Sequence, residues 1–189
     1  MTKVSIFIGS RWRTAAPPSL GKKPEGGWRN RELKRSLFSQ MTWSSGVARP
    51  AITARRTTWR PVRWRMICRK IHQLIQESDG LIVATPIYFA GVTAQTKAWL
   101  DRLFPYIGMN LSPKLQESKK VSFIFTQNQL DARLFEIPIA TFMQMVGLTG
   151  LSVKDHLLAY DLDAGIKPSV TEKKEFMEKT YRIGKELLG

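Results

Sequence analysis

A chain of 189 residues with 43% hydrophobic content is long enough to bury one substantial core, and no apolar run approaches the roughly 18–20 residues of a membrane span. The single cysteine, Cys68, excludes an internal disulfide framework and any all-cysteine metal site within one chain. The net charge of +15 would ordinarily point to nucleic acid or an anionic surface, but residues 11–70 alone hold 16 Lys/Arg against 2 acidic residues, and so carry nearly all of the excess. These figures describe a single domain over residues 1–189. Met1-Thr2-Lys3 leads into a strand-like run rather than the apolar core of a signal peptide, so the expectation is a soluble, cytoplasmic protein with no membrane partner.

Lys3 to Ile8 is a short β-branched and aromatic run ending in Gly9-Ser10, the pattern of a central strand opening into a turn. Small residues at such a turn let backbone N–H groups and hydroxyls converge on an anion. A strand that merely ends at a turn reads the same way. From Arg11 to Lys70 the periodic signals fade. Ala15-Ala16-Pro17-Pro18 and Pro24-Glu25-Gly26-Gly27 break any helix, no run alternates as a strand, and an irregular or disordered segment is expected.

Ile71 to Glu77 is the end of an amphipathic helix, with His72 a surface or helix-edge residue lacking partners at metal-ligand spacing. Leu81 to Ala84 is a continuous apolar strand of the kind buried on both faces of a parallel sheet. The loop Thr85-Pro86-Ile87-Tyr88-Phe89-Ala90-Gly91 follows it. There Pro86 sets the exit direction, Tyr88 and Phe89 offer flat surfaces, and Gly91 lets the backbone approach a ligand. Val92 to Phe104 reads as a helix with Thr93 as N-cap and Trp99, Leu100 and Leu103 facing inward.

Lys119 to Thr126 is a further strand, and Thr126-Gln127-Asn128-Gln129 becomes a third loop at the same sheet edge, with amide groups suited to a polar ligand rim. Phe135 to Val146 is a helix interrupted near Pro138, with Phe142, Met143 and Met145 in the core. Gly150 to Tyr160 carries the last strand, where His156 has no partner that marks it as catalytic. Val170 to Leu188 is the terminal helix, with Ser169 and Glu172 at capping-box spacing.

Three readings compete for residues 11–70: a basic nucleic-acid arm, a solvated insertion, or translation of the wrong frame. Arg55 to Arg65 interleaves five arginines with Trp59 and Trp64, as an RNA-binding arm would. Reread from the third base of each codon, however, Trp64 to Arg69 is compatible with Glu-Asp-Asp-Met-Gln, and Val47 to Ala54 with Cys-x-Ala-Cys-Tyr-Tyr-Cys. Arg11 to Pro18 is likewise compatible with Val-Glu-Asn-Gly-Ser-Thr-Ala. All three strings fall in one shared frame. Two compensating frame shifts would account together for the Arg/Trp excess, the missing aspartate and the return to ordinary composition at Ile71. Recovery of peptides matching Arg11 to Lys70 from the natural source would overturn this reading.

The run from Ser78 to Arg102 resembles the FMN-binding segment of the flavodoxin-like NAD(P)H-dependent FMN reductases, including their iron–sulfur flavoprotein branch; residues 3–10 and 119–188 resemble it more loosely. The resemblance implies a three-layer α/β sandwich with a parallel five-stranded sheet in the order 2-1-3-4-5. It implies an FMN-dependent oxidoreductase that takes hydride from NAD(P)H and passes electrons to a small-molecule acceptor. It also implies that Pro86 to Gly91 pack on the flavin ring and that Gly9 and Ser10 open the phosphate loop. The cofactor-binding set is then Gly9, Ser10, Thr85, Pro86, Ile87, Tyr88, Phe89, Ala90, Gly91, Thr126, Gln127 and Asn128. No side chain is required as nucleophile or general base and no metal ligand is assigned. Family members commonly form dimers or tetramers, so a homo-oligomer is implied. After Ser10, Arg11-Trp12-Arg13 departs from the small polar loop of the family. The alternatives are a basic nucleic-acid-binding protein, whose binding would be steeply salt-dependent, and a flavin-free, defective family member.

Overall fold

The computed structural model describes residues 2–9, 31–36, 67–115, 117–162 and 172–187. In chain order these form β1 (Thr2–Ile8), β2 (Arg31–Ser36), α1 (Ile67–Glu77), β3 (Gly80–Tyr88) and β4 (Gly91–Val92). They continue with α2 (Ala94–Arg102), a 3-10 turn (Phe104–Tyr106), β5 (Lys120–Thr126), α3 (Glu136–Gly147), β6 (Ser152–Ala159) and α4 (Lys174–Glu186). The sheet runs β2-β1-β3-β5-β6 with every one of these neighbours parallel, while β4 folds back antiparallel on β3. Counting only the parallel strands, this is the expected 2-1-3-4-5 order of a flavodoxin-like α/β fold.

The apolar run of β3 is continuous because both faces of the sheet are covered. Leu81 and Val83 face one cluster with Phe7, Phe123 and Phe125, closed by Ile71 and Ile75 of α1, Trp99 of α2, and Ile139, Phe142 and Val146 of α3. Ile82 and Ala84 face the other, with Val4, Ile6, Ile124 and Leu157, closed by Phe176 and Ile183 of α4. The helical spacings i, i+4 at 71 and 75 and i, i+3, i+7 at 139, 142 and 146 place these side chains in single inward stripes. Helices on both faces complete the three layers.

The structure differs from expectation at five places. First, β3 does not stop at Ala84 but runs through Pro86 to Tyr88. Pairing with β1 ends at the Ile8–Ala84 register position, so Pro86 lies where β3 is an edge on that side, and its lack of an N–H breaks no ladder there. Second, Arg31–Ser36, inside the stretch expected to be irregular, forms a strand parallel to β1. The open edge of β1 pairs through main-chain groups that every residue carries, so weak side-chain alternation does not prevent it. Third, α1 starts at Ile67, so four residues of the anomalous stretch are helical. Apart from residues 31–36 and 67–70, that stretch lies outside the described residues, and with it the nucleic-acid-arm and frame-shift readings.

Fourth, Pro138 does not interrupt α3 but sits in its first turn, where the missing N–H would have had no helical partner. Phe142 is buried as expected, whereas Met145 is exposed on the outer face. Fifth, α4 begins at Lys174 rather than near Val170, and its N-cap, Lys173, makes no capping bond. Glu172 lies in a turn before the helix, and Ser169 lies outside the described residues. The Lys173 ammonium instead donates to Tyr160 O at 3.3 Å and pairs with Asp161 at 3.2 Å, above the rings of Tyr160 and Phe176. No helix among the described residues is long and apolar enough to cross a membrane.

Candidate functional site

Parallel strands deliver their C-terminal ends to one edge of the sheet. Gly9 follows β1, Pro86 lies opposite Thr126 in the β3–β5 register, and Asn128 follows β5. The C-terminal edge of the strands is where open α/β sheets take ligands. Ser10 lies outside the described residues.

At the β1 side, the Gly9 amide donates to Ala84 O at 2.8 Å, continuing the ladder one residue past the strand. A methyl group at Gly9 would overlap the Thr96 hydroxyl outright, so only glycine fits. The Gly9 carbonyl accepts from the hydroxyl of Thr93. Thr93 also caps α2, accepting from the Thr96 amide at 3.3 Å, with the Thr96 hydroxyl 3.0 Å away. Thr85 stands behind it, donating its hydroxyl to Pro86 O at 3.1 Å and accepting from the Thr93 amide at 3.4 Å. All three threonines are buried.

At the β3 side, the loop read from the sequence is a tight hairpin. Ile87 pairs with Val92 and Tyr88 with Gly91, leaving Phe89 and Ala90 as a two-residue turn with φ of 49° and 60°. Two successive left-handed residues make a type I′ turn, which Asn-Gly fills readily and other residues fill at about 1–2 kcal/mol each. Phe89 is fully exposed and Tyr88 more than half exposed, whereas Ile87 faces the core. A side chain at Gly91 would meet only Tyr88 O, at 3.8 Å. Nothing within the described chain demands glycine there, and the open space accommodates a flat ligand.

At the β5 side, Gln127 is buried, its amide N–H bonded to Ala159 O at 2.9 Å and its Nε2 to Asp131 O at 2.9 Å. Its Oε1 is buried without a donor. Asn128 is exposed, and its Oδ1 accepts from Gln129 Nε2 at 3.1 Å. Leu130, Leu134 and Ile137 are exposed along the segment leading into α3, which packs beside β4. Among the described residues, no three His, Cys, Asp or Glu side chains come together as a metal site. His72 is half-buried, edge-on to the Tyr106 ring at 5.0 Å between centroids. Burial lowers the His72 pKa and pushes that of Tyr106 up to about 12.

The structure therefore brings Gly9, Pro86, Tyr88, Phe89, Ala90, Gly91, Thr126 and Asn128 to one edge, and turns the side chains of Thr85, Ile87 and Gln127 inward. Two residues that the sequence did not single out as part of a site, Thr93 and Thr96, hold its β1 side. Only the capping role of Thr93 was legible beforehand.

The stretch that builds the hairpin and the β5 loop also carries the likeness to known proteins. Residues 61–135 match the NADPH-dependent FMN reductase family. Over this segment the chain is similar to that family. A 37-residue stretch is 46% identical to the iron-sulfur flavoprotein of Archaeoglobus fulgidus, covering 20% of this chain and 17% of that protein. The whole fold superposes on the NAD(P)H:quinone oxidoreductase from Methanothermobacter marburgensis with a TM-score of 0.68 at 16% identity, over 100% of this chain and 98% of that one. It superposes on the azoreductase from Bacillus anthracis with a TM-score of 0.67 at 12% identity, over 98% and 100% of the two chains. At these identities the likeness concerns the fold.

The described residues on the β3 side fit the flat ring of FMN. Tyr88 and Phe89 present uncovered aromatic surface, and Gly91 leaves open the space a side chain would fill. Where the chain leaves β1, Gly9 is the last described residue, held from beneath by Thr93 and packed against Thr96.

Proposed function

We propose that the protein is an FMN-binding, NAD(P)H-dependent oxidoreductase that passes electrons to a small-molecule acceptor. The observation that carries this reading is the coincidence of the family match over residues 61–135 with the strained, aromatic-tipped hairpin at the ligand edge of the sheet. Bound FMN would supply the redox chemistry, accepting hydride from NAD(P)H and releasing electrons to the acceptor. The part of the chain itself is to bind, orient and exclude water. Tyr88 and Phe89 cover one face of the ring, Gly91 admits it close to the backbone, and Thr126 and Asn128 meet its polar rim, with the buried Gln127 anchoring that loop from within. Gly9 and Ser10 begin the phosphate side. Thr85 and Ile87 contribute from beneath, as supports of the hairpin.

The reading extends to a cytoplasmic homo-oligomer, in which a second copy covers the apolar edge formed by Phe89, Leu130, Leu134 and Ile137. For residues 11–70 it includes the out-of-frame origin argued from the sequence. The test is the visible spectrum of protein purified from its natural source. Flavin absorbance and fluorescence released on denaturation, and bleaching of the bound flavin by NADPH or NADH, are expected. A colourless protein that takes up no added FMN would sink the proposal.

A further inference from the structure

The loop that follows β5 is held by the chain leaving β6. Gln127 donates its amide to Ala159 O at 2.9 Å, where the two strands end. Beyond that point the Leu162 amide donates to Gln127 O at 3.1 Å, and the Asp161 amide donates to Gln129 O at 2.9 Å. Two successive amides thus take the carbonyls of the residues before and after Asn128, which is exposed at the ligand edge. Successive amides of an extended strand face opposite sides, so the chain must turn if both are to reach one loop. Asp161 supplies the turn: its φ is 56°, in the left-handed region where consecutive N–H groups point together. Its half-buried carboxylate meanwhile pairs with the Lys173 ammonium at 3.2 Å.

We infer that Asp161 is a positioning residue for the polar rim of the flavin, acting on Asn128 through the main chain. The inference rests on the proposed flavin site, in which Asn128 meets that rim. Left-handed backbone is costly for residues that carry a Cβ, and least so for Asn and Asp. The carboxylate of Asp161 serves Lys173, whereas its conformation aims the two amides. The Gln127 side chain already closes the loop on itself, bonding Asp131 O at 2.9 Å. What Asp161 adds is a fixed orientation of the peptides that carry Asn128, and so the direction in which the Asn128 side chain leaves the sheet edge. A polar group held in one direction beforehand spends less ordering entropy when it meets its ligand. Asp161 lies outside the family-matched segment, residues 61–135, while the loop it holds lies inside it.

Conformation and charge can be separated by substitution. Asp161→Asn gives up the carboxylate but keeps a residue suited to left-handed backbone, whereas Asp161→Val gives up both. FMN dissociation constants are to be measured by flavin fluorescence on the full chain, for the parent, both variants, Asn128→Ala, and Asp161→Val combined with Asn128→Ala. Asp161→Val is expected to weaken FMN about ten-fold, because the fraction of protein with the loop in place falls. Asp161→Asn is expected to stay within about two-fold of the parent. Asn128→Ala is expected to weaken FMN by about five-fold or more, as loss of a hydrogen bond would. In that background Asp161→Val should cost less than about two-fold further, since the side chain it positions is gone.

If Asp161→Val does not fold by near-UV circular dichroism, Asp161→Ala is read in its place, being disfavoured in the left-handed region without the branch at Cβ. Equal losses for Asp161→Asn and Asp161→Val would assign the effect to the ion pair and overturn the positioning role. No loss for Asp161→Val, or the same loss with and without the Asn128 side chain, would overturn it too, while leaving the flavin site intact. Parental affinity in Asn128→Ala would remove Asn128 from the rim, and the positioning role with it. A parent protein that takes up no FMN overturns the flavin reading itself together with what rests on it.

Discussion

Gly9→Ala is expected to destabilise the protein by about 2–3 kcal/mol and to abolish tight flavin uptake. The new methyl would overlap the Thr96 hydroxyl and come within 3.1 Å of the Thr93 hydroxyl. Backbone strain is not the cause, because Gly9 is not among the described residues with positive φ. Neither threonine can retreat easily, since both are buried and Thr93 is bonded on two sides. The clash is specific, so it is reparable. Thr96→Ala removes the overlapping oxygen and leaves the Thr96 Cβ at 3.1 Å, a contact that a shift of a few tenths of an ångström relieves. Urea unfolding of both single variants and the double variant should show the double variant more stable than Gly9→Ala alone, with a coupling above about 1 kcal/mol. Simple additivity would mean that Thr96 is not what makes glycine necessary.

The second large effect concerns the hairpin. Replacing Phe89-Ala90 by Asn-Gly is expected to stabilise the flavin-free protein by about 1–2 kcal/mol, because both residues now occupy the left-handed region that Asn and Gly tolerate. The same change removes the exposed ring, and with it a stacking surface of about 1–3 kcal/mol, so FMN affinity should fall by roughly ten-fold or more. Ala90→Gly alone separates the two effects: it should raise the unfolding midpoint while leaving affinity near that of the parent. A hairpin that gains stability and keeps its FMN affinity would show that the Phe89 ring takes no part in binding. The opposing signs are expected where a strained conformation is retained for function.

Much of this architecture is legible in the residues. The apolar run Leu81 to Ala84, the Thr93 cap and the inward stripe of Trp99 and Leu103 follow from periodicity and capping chemistry, because those signals are local. The run Ser78 to Arg102 further carried the family resemblance, and the matched segment encloses it. What was not legible depended on neighbours. Pro86 reads as a loop residue until β1 is seen to end beside it, which makes an interior position an edge. Met145 reads as core, since helical periodicity alone cannot say how far the covered face of α3 extends. Arg31 to Ser36 shows no strand pattern, because what pairs it to β1 is main chain.

By itself the sequence determined that this is an α/β chain, that its strands alternate with helices, and that a Pro/Gly-bounded aromatic segment follows the central strand. These are properties of short stretches, set by side-chain spacing and backbone permissiveness. Only the tertiary structure decided that the segment is a left-handed hairpin with Phe89 outermost, and that Gly9 is glycine because Thr96 occupies the place of its side chain. It likewise decided that Thr93 holds the chain where it leaves β1. The two facts about Gly9 rest on contacts between residues more than eighty positions apart, which no local pattern encodes and which exist only once the parallel strands have aligned their ends at one edge.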